Sequence, residues 1–144
     1  MTQIDFYILP DEAQVDPLFY TCRLIEKVYR MGHGIYVFCK DDTQSQAVND
    51  MLWQTDPASF VPHNLSTVEP GSPILIGTDN PPDNHGEVMV NLAGDIPTFF
   101  SRFRRVAEIV PGNPEYRTKS RQNYRFYKER GYPLKTHNIK PTTR

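Results

Sequence analysis

Short apolar runs alternate with helical patterns in the first half of the chain. Residues 4–9 and 34–39 are mostly apolar and short, which is typical of buried strands. Between them, Asp16 and Pro17 suit the first positions of a helix. The apolar residues that follow recur at helical spacing, and Gly32 ends the pattern. The pattern predicts a strand, a helix and a second strand.

A second helix and two further strands are predicted in the middle of the chain. Thr43, with Gln46 three residues later, resembles a capping box and opens a helix that reaches about Trp53. Residues 73–77 and 87–92 are apolar enough for two more buried strands. The turn-forming residues between them indicate a loop.

The remaining pattern completes the predicted fold. Residues 97–105 carry three phenylalanines and are predicted as a helix, and residues 107–110 as the last strand. Strands that alternate with helices across short connections favour a parallel sheet covered by helices. We therefore expect one α/β domain over residues 1–144, with three α/β/α layers and a mostly parallel sheet. The last ten residues or so are a candidate flexible tail.

The clearest element is a helix over residues 113–132. Asn113 can cap its first turn, Pro114 suits the first helical position, and Gly131 can close its end. Steps of three and four residues place several side chains on one side of this helix. They form a cationic stripe around one aromatic ring: Arg117, Arg121, Tyr124, Arg125 and Lys128. Three other aromatic residues are expected to seat the helix on the core: Tyr116, Phe126 and Tyr127.

Charge is divided unevenly along a chain whose net charge is only −1. From Ser101 onward, 12 Lys and Arg stand against 3 Asp and Glu, which gives a net charge of +9. Residues 1–100 hold 4 Lys and Arg against 14 Asp and Glu, which gives −10. Such asymmetry indicates a specific anionic partner for the basic part. Nucleic acid, a phosphate ligand, an acidic membrane surface and an acidic peptide all fit this description.

Nucleotide binding of the usual kind is disfavoured. A phosphate-binding loop needs several glycines between a strand and a helix, so that backbone amides can face the anion. Residues 10–14 and 40–43, which follow the first two strands, contain no glycine and carry acidic side chains. The sequence therefore argues against a standard nucleotide-binding site.

Other catalytic and metal sites have weak signals. Carboxylates at the ends of neighbouring strands could hold Mg²⁺, and the candidates are Asp11, Glu12, Asp41 and Asp42. Acidic residues at helix N-termini give the same pattern without any metal. The four histidines have no zinc-ligand spacing, and no nucleophile motif is present. We expect no metal site and no enzymatic activity.

The cysteines and the start of the chain suggest the compartment. Cys22 and Cys39 are far apart and form no CxxC pair, so we expect two reduced, buried thiols. The N-terminal residues show no export-signal pattern and lead directly into the first strand pattern. Both features favour a cytoplasmic protein.

A second surface is predicted around the only tryptophan. Trp53 and Leu52 precede a proline-flanked segment that contains Phe60 and Val61. Large apolar side chains on a loop stiffened by prolines are typical of protein–protein anchors. The same side chains could equally close the end of the core, and the residues alone do not decide between the two interpretations.

The sequence resembles the chi subunit of bacterial DNA polymerase III over nearly its whole length. The resemblance lies in DFYIL near the start, LWQTDPASFVPHNL at 52–65, FRRVAEIVP at 103–111 and RQNYRFYKERGY at 121–132. The segment at 52–65 is the most specific of these. The resemblance implies a nucleotide-binding-like α/β fold without the phosphate loop, and an accessory protein without catalysis or cofactor.

The resemblance also implies partners and sites. The chi family links the clamp loader, through the psi subunit, to single-stranded DNA-binding protein (SSB), whose acidic C-terminal tail ends in Ile-Pro-Phe. Psi binding would fall on Leu52, Trp53, Phe60 and Val61. SSB-tail binding would fall on these residues: Arg117, Arg121, Tyr124, Arg125, Val110 and Pro111. DNA would then be contacted only indirectly, and the protein would act at the bacterial replication fork.

Two other functions remain open. The basic C-terminal part could bind single-stranded nucleic acid directly. A metal-dependent phosphatase or nucleotide hydrolase would use Asp11, Asp41 and Asp42, and would require Mg²⁺ and turnover.

Overall fold

Parallel pairing organises the structure, a computed structural model that describes residues 1–55, 64–65, 72–81 and 87–141. Its elements in chain order are β1 (Gln3–Asp11), α1 (Pro17–Arg30), β2 (Ile35–Phe38), α2 (Asp42–Thr55), β3 (Asn64–Leu65), β4 (Ile74–Gly77), β5 (Val88–Asn91), β6 (Arg105–Gly112), α3 (Pro114–Glu129) and β7 (Leu134–Asn138). Within these residues seven strands form one sheet in the order β3-β4-β2-β5-β6-β1-β7. Every pair of neighbours is parallel.

The sheet has one hydrophobic cluster on each face. Alternate residues of a strand point to opposite faces, so Leu9 joins one cluster whereas Ile4 and Phe6 join the other. Residues of α1 and α2 pack on the first face. Tyr127 of α3 packs on the second. The predicted three-layer α/β/α fold is confirmed. The predicted buried thiols are confirmed too, because Cys22 and Cys39 are both free and buried.

Two helix ends follow the capping rules read from the sequence. The Asp16 carboxylate accepts from the amide of Leu18 at 3.1 Å, and the Asn113 side chain accepts from Tyr116 at 3.0 Å. Beyond α3, Gly131 has φ 81°, the left-handed conformation that glycine adopts without strain. The start of α2 and its capping residue differ from the prediction. Asp41, not Thr43, accepts from the amide of Gln44, at 2.8 Å, and the helix starts at Asp42.

The predicted helix over residues 97–105 is wrong. Only a single 3-10 turn forms, over Phe100–Arg102. The amides of Arg104 and Arg105 bond to the carbonyl of Glu87, at 2.8 and 3.2 Å, and this pairing draws the chain into β6. Tertiary pairing therefore overrides the helical spacing of the phenylalanines.

The sequence prediction also missed a strand. Residues 107–110 are not the last strand, because β7 follows α3 and pairs with β1. Leu134–Asn138 is largely polar and lies at the edge of the sheet, so it lacks the apolar run of a buried strand.

At the C-terminal ends of β1 and β6 the two backbones come very close to each other. A Cβ on Gly112 would lie 2.1 Å from the carbonyl oxygen of Pro10.

Candidate peptide-binding cleft

The inner side of α3 is fixed by aromatic packing and one buried carboxylate. Tyr127 is fully buried and contacts Phe6 and Phe100 edge-on. Its hydroxyl donates to Glu108 at 2.6 Å, and Asn91 donates to the same carboxylate at 3.1 Å. Burial raises the pKa of Glu108 to about 7, although both hydrogen bonds oppose the rise. Burial, and then Glu108 itself, raise the pKa of Tyr127.

A cleft of about 410 Å³ lies beside the first two turns of α3, where β1, β6 and β7 end. Its walls come from those three strand ends and from one side of the helix: Ile8, Leu9, Val110, Arg117, Ser120, Arg121, Asn138 and Ile139. The carboxyl ends of parallel strands are where open α/β sheets commonly bind ligands. The cleft therefore combines an apolar floor with two guanidinium groups.

Within the described residues, the guanidinium groups of α3 are not neutralised by acidic side chains. Arg117 donates to the carbonyl of Leu9 at 3.2 Å, which holds this side chain at the cleft without cancelling its charge. Arg117, Arg121 and Arg125 are exposed. In the described parts of the chain, no carboxylate lies within 4.0 Å of any of the three guanidinium groups. The site can therefore attract an anion.

The residues predicted for tail binding occupy three positions. Arg117, Arg121 and Val110 line the cleft. Tyr124 lies one turn further along α3, 37% exposed, with its ring 5.5 Å from that of Phe6. Arg125 is exposed next to it, whereas Pro111 is buried within β6 and does not line the cleft.

Five of the eight residues that line the cleft were not among the predicted ones: Ile8, Leu9, Ser120, Asn138 and Ile139. Ile8 and Leu9 lie in the second half of β1, and Asn138 and Ile139 lie at the end of β7 and just beyond it. The sequence contained a signal for the first pair, since the predicted first strand, residues 4–9, ends with them. It contained no apolar signal for the second pair.

The predicted tryptophan surface is described only in part. Trp53 is 55% exposed on α2, whereas Leu52 is buried in the core. Phe60 and Val61 lie outside the described residues.

The acidic side chains at the strand ends have local partners. Asp11 accepts from the amide of Ala13 at 2.9 Å, and Asp41 accepts from Gln44. Within the described ranges, no three His, Cys, Asp or Glu side chains converge on a possible metal position. None of the helices in those ranges is long and apolar enough to cross a bilayer.

The family model described as "DNA polymerase III chi subunit, HolC" matches residues 1–135. The chain belongs to the DNA polymerase III chi subunit family. Three curated relatives carry the name DNA polymerase III subunit chi. The Pseudomonas aeruginosa protein is 37% identical over 139 residues, which cover 96% of this chain and 98% of the relative. The Haemophilus influenzae protein is 30% identical (93% and 95%), and the Escherichia coli protein 27% (94% and 97%). The family consists of replication accessory subunits.

Proposed function

We propose that this chain is a non-catalytic accessory subunit of DNA polymerase III that holds the acidic C-terminal tail of SSB in the cleft beside α3. The proposal rests above all on Arg117 and Arg121, which have no carboxylate partner among the described residues and line the cleft beside apolar side chains. Such an arrangement favours a ligand that ends in a carboxylate next to an apolar side chain. A tail of acidic residues followed by Ile-Pro-Phe has this chemistry.

In the proposed complex the tail lies along α3. The terminal Phe ring enters the cleft between Ile8, Leu9 and Val110, and its carboxylate pairs with Arg117 and Arg121. Tyr124 and Arg125 contact the residues upstream of the ring. A hydrogen bond to a charged group contributes about 1.5–3 kcal/mol, and burial of a Phe side chain contributes about 1.5–3 kcal/mol.

These contributions predict a weak complex. Two or three charged bonds and the ring, less the cost of ordering a flexible tail, leave about −8 kcal/mol, a micromolar affinity. A micromolar affinity suits a link between two proteins that must dissociate as the polymerase advances.

The second partner in this proposal is the psi subunit, bound through Trp53, with Phe60 and Val61 as further contacts predicted from the sequence, whereas Leu52 belongs to the core. The exposed ring of Trp53 supports this assignment, because large aromatic side chains are enriched among binding hot spots. Trp53→Ala is expected to abolish co-purification with psi and to leave the affinity for the SSB tail unchanged. A Trp53→Ala variant that still binds psi at wild-type affinity would remove this residue from the interface.

Direct binding of single-stranded nucleic acid is the second candidate, and the +9 charge of the chain from Ser101 onward favours it. In this alternative the same basic helix follows a phosphate backbone.

Calorimetric titration with an Asp-rich peptide that ends in Ile-Pro-Phe separates the two functions. The full peptide is expected to bind with micromolar affinity, and a peptide that lacks the terminal Phe is expected to show almost no binding. If both peptides bind equally, or if an oligonucleotide binds more tightly than the full peptide, tail capture is refuted.

A further inference from the structure

A larger groove lies on the α1 face of the sheet and shares only Ile139 with the cleft beside α3. Its volume is about 870 Å³, which is enough for a peptide segment. One wall is α1, and the other is formed by β1, β6 and β7. Neither the SSB tail nor psi is assigned to this groove in the proposed function.

On the sheet wall of the groove, the buried carboxylate of Asp5 already has partners within the protein. The Asp5 carboxylate is almost fully buried and accepts from Arg105 at 2.8 Å, and it lies 3.3 Å from the Nε2 atom of His137. His137 also stacks on Tyr7, with ring centroids 4.6 Å apart. This wall offers an aromatic surface to a ligand and leaves no uncompensated charge at Asp5.

The α1 wall contains the carboxylate of Glu26. Glu26 is only 4% exposed and lines the groove. Among the described residues, none donates a hydrogen bond to its carboxylate. Arg23, one turn earlier, lies over the ring of Phe19 instead, 6.0 Å from its centroid. Because Glu26 lines the groove, a donor from a ligand can reach its carboxylate.

Most of the basic residues in the first 100 positions lie at this groove. Only four Lys and Arg occur in residues 1–100, and three of them, Arg23, Lys27 and Arg30, line this groove. All three are exposed. A favourable interaction with the helix dipole accounts for Lys27 and Arg30 in the last turn of α1. It does not account for Arg23 or for the burial of Glu26.

We propose that this groove binds an extended peptide segment of a partner protein in which one arginine is flanked by acidic residues. The guanidinium group pairs with Glu26 beside the ring of Tyr20, and the acidic flanks face Arg23, Lys27 and Arg30. Arginine fits because its planar group can bond a carboxylate through two donors and stack on an aromatic face. A wholly basic segment would be repelled by the rim, and a wholly acidic one by Glu26.

The test uses the full chain and two synthetic peptides, acetyl-Glu-Asp-Arg-Asp-Glu-amide and the same peptide with citrulline in place of arginine. Citrulline keeps the shape of arginine and removes its charge. Calorimetry is expected to show saturable binding of the arginine peptide and about tenfold weaker binding of the citrulline peptide, the effect of one charged hydrogen bond.

Variants of Glu26 test the same pairing by a change in the protein instead of in the peptide. Glu26→Gln is expected to weaken the arginine peptide about tenfold but not the citrulline peptide, whose acidic residues lose a repulsive charge in this variant. Glu129→Gln removes the same charge from an exposed position on α3 and is expected to change neither affinity. Glu26→Asp, which keeps the charge but shortens the side chain, serves as a second variant and should give an intermediate affinity.

The unfolding temperature of Glu26→Gln distinguishes a ligand-binding role from a structural one. Because no described residue bonds this carboxylate, we expect the variant to be at least as stable as the wild type while its binding falls. The proposal is overturned by equal affinities for the two peptides, by absence of saturable binding, or by an arginine-peptide affinity that Glu26→Gln does not change. It is also overturned if Glu26→Gln lowers the unfolding temperature.

Discussion

The cleft beside α3 and the groove beside α1 differ in where their buried carboxylates find hydrogen bonds. Under α3, Glu108 is fully buried and accepts from both Tyr127 and Asn91. Beside α1, Glu26 is nearly as buried but has no donor among the described residues. The hydrogen bond from Tyr127 to Glu108 joins α3 to the sheet, whereas Glu26 is the carboxylate that we propose for ligand binding.

The side chains next to the basic residues also differ between the cleft and the groove. In the cleft the guanidinium groups of Arg117 and Arg121 stand next to apolar side chains, without a carboxylate in the lining. In the groove, Arg23, Lys27 and Arg30 share the lining with the carboxylate of Glu26. The two regions therefore differ in the ligand chemistry that we propose for each, an anionic chain end for the cleft and a cation flanked by anions for the groove.

The largest predicted effect comes from the strand pair that forms one wall of the cleft. Gly112→Ala should destabilise the fold by more than about 3 kcal/mol, since its Cβ would collide with the Pro10 carbonyl oxygen at 2.1 Å. Thermal unfolding would measure the loss. Gly34→Ala is the matched control, because the nearest atom to its new Cβ would be 3.5 Å away and the contact ordinary. Equal unfolding temperatures for the two variants would contradict the close approach.

Glu108 should make stability depend on pH. Its pKa is about 7 in the fold against an ordinary value of 4.5, so the folded chain retains a proton that the unfolded chain releases. The resulting stabilisation is complete below pH 4.5 and is lost as the pH rises through 7, and it amounts to about 3 kcal/mol.

Denaturant unfolding of the wild type and of Glu108→Gln at several pH values between 4.5 and 8 would measure this contribution. The wild type should lose stability relative to the variant as the pH rises. Glu129→Gln, at an exposed position, should follow the wild type. Parallel curves for wild type and Glu108→Gln would show that Glu108 keeps the same protonation state in the folded and unfolded chains.

The sequence predicted the elements whose signals are local. The capping residues Asp16 and Asn113, and Gly131 beyond α3, bond or turn where their chemistry requires. Apolar runs revealed β2 and β4 because central strands of a parallel sheet are buried on both faces. The cationic side of α3 followed from spacing alone.

The missed features depend on contacts between distant segments. Residues 134–138 are polar, and their pairing with β1 becomes visible only when α3 returns the chain to the edge of the sheet. For this reason Asn138 and Ile139 could not be assigned to the cleft. The phenylalanines before β6 have helical spacing, but the pairing of Arg104 and Arg105 with Glu87 prevents a helix. Glu26 carries no sequence signal, because its burial depends on how α1 packs against the sheet.

Arg121→Ala should weaken binding of the SSB tail peptide about tenfold, the loss of roughly one charged bond worth about 1.5 kcal/mol. Calorimetry with the Ile-Pro-Phe peptide would measure the change. The arginine peptide proposed for the α1 groove should bind this variant as it binds the wild type, which separates the two regions.

Lys119→Ala is the matched control for Arg121→Ala. It removes the same charge from the same helix, but Lys119 pairs with Asp95 at 3.0 Å and does not line the cleft. We expect less than a twofold change in tail affinity. If the two variants lose equal affinity, the helix acts through its total charge, as a nucleic-acid-binding surface would.

The smallest predicted effect concerns the hydroxyl of Tyr124. No described residue bonds this hydroxyl, whereas the ring packs on Phe6 at 5.5 Å and stays partly exposed at the end of the cationic row. Tyr124→Phe should therefore keep tail affinity within about twofold, since the ring and its packing are retained, whereas Tyr124→Ala removes both and should cost about 1 kcal/mol. Calorimetry with the Ile-Pro-Phe peptide would compare the two variants. A large loss in Tyr124→Phe would mean that the hydroxyl bonds the tail directly, and the tail would then lie nearer to Tyr124 than to the strand ends.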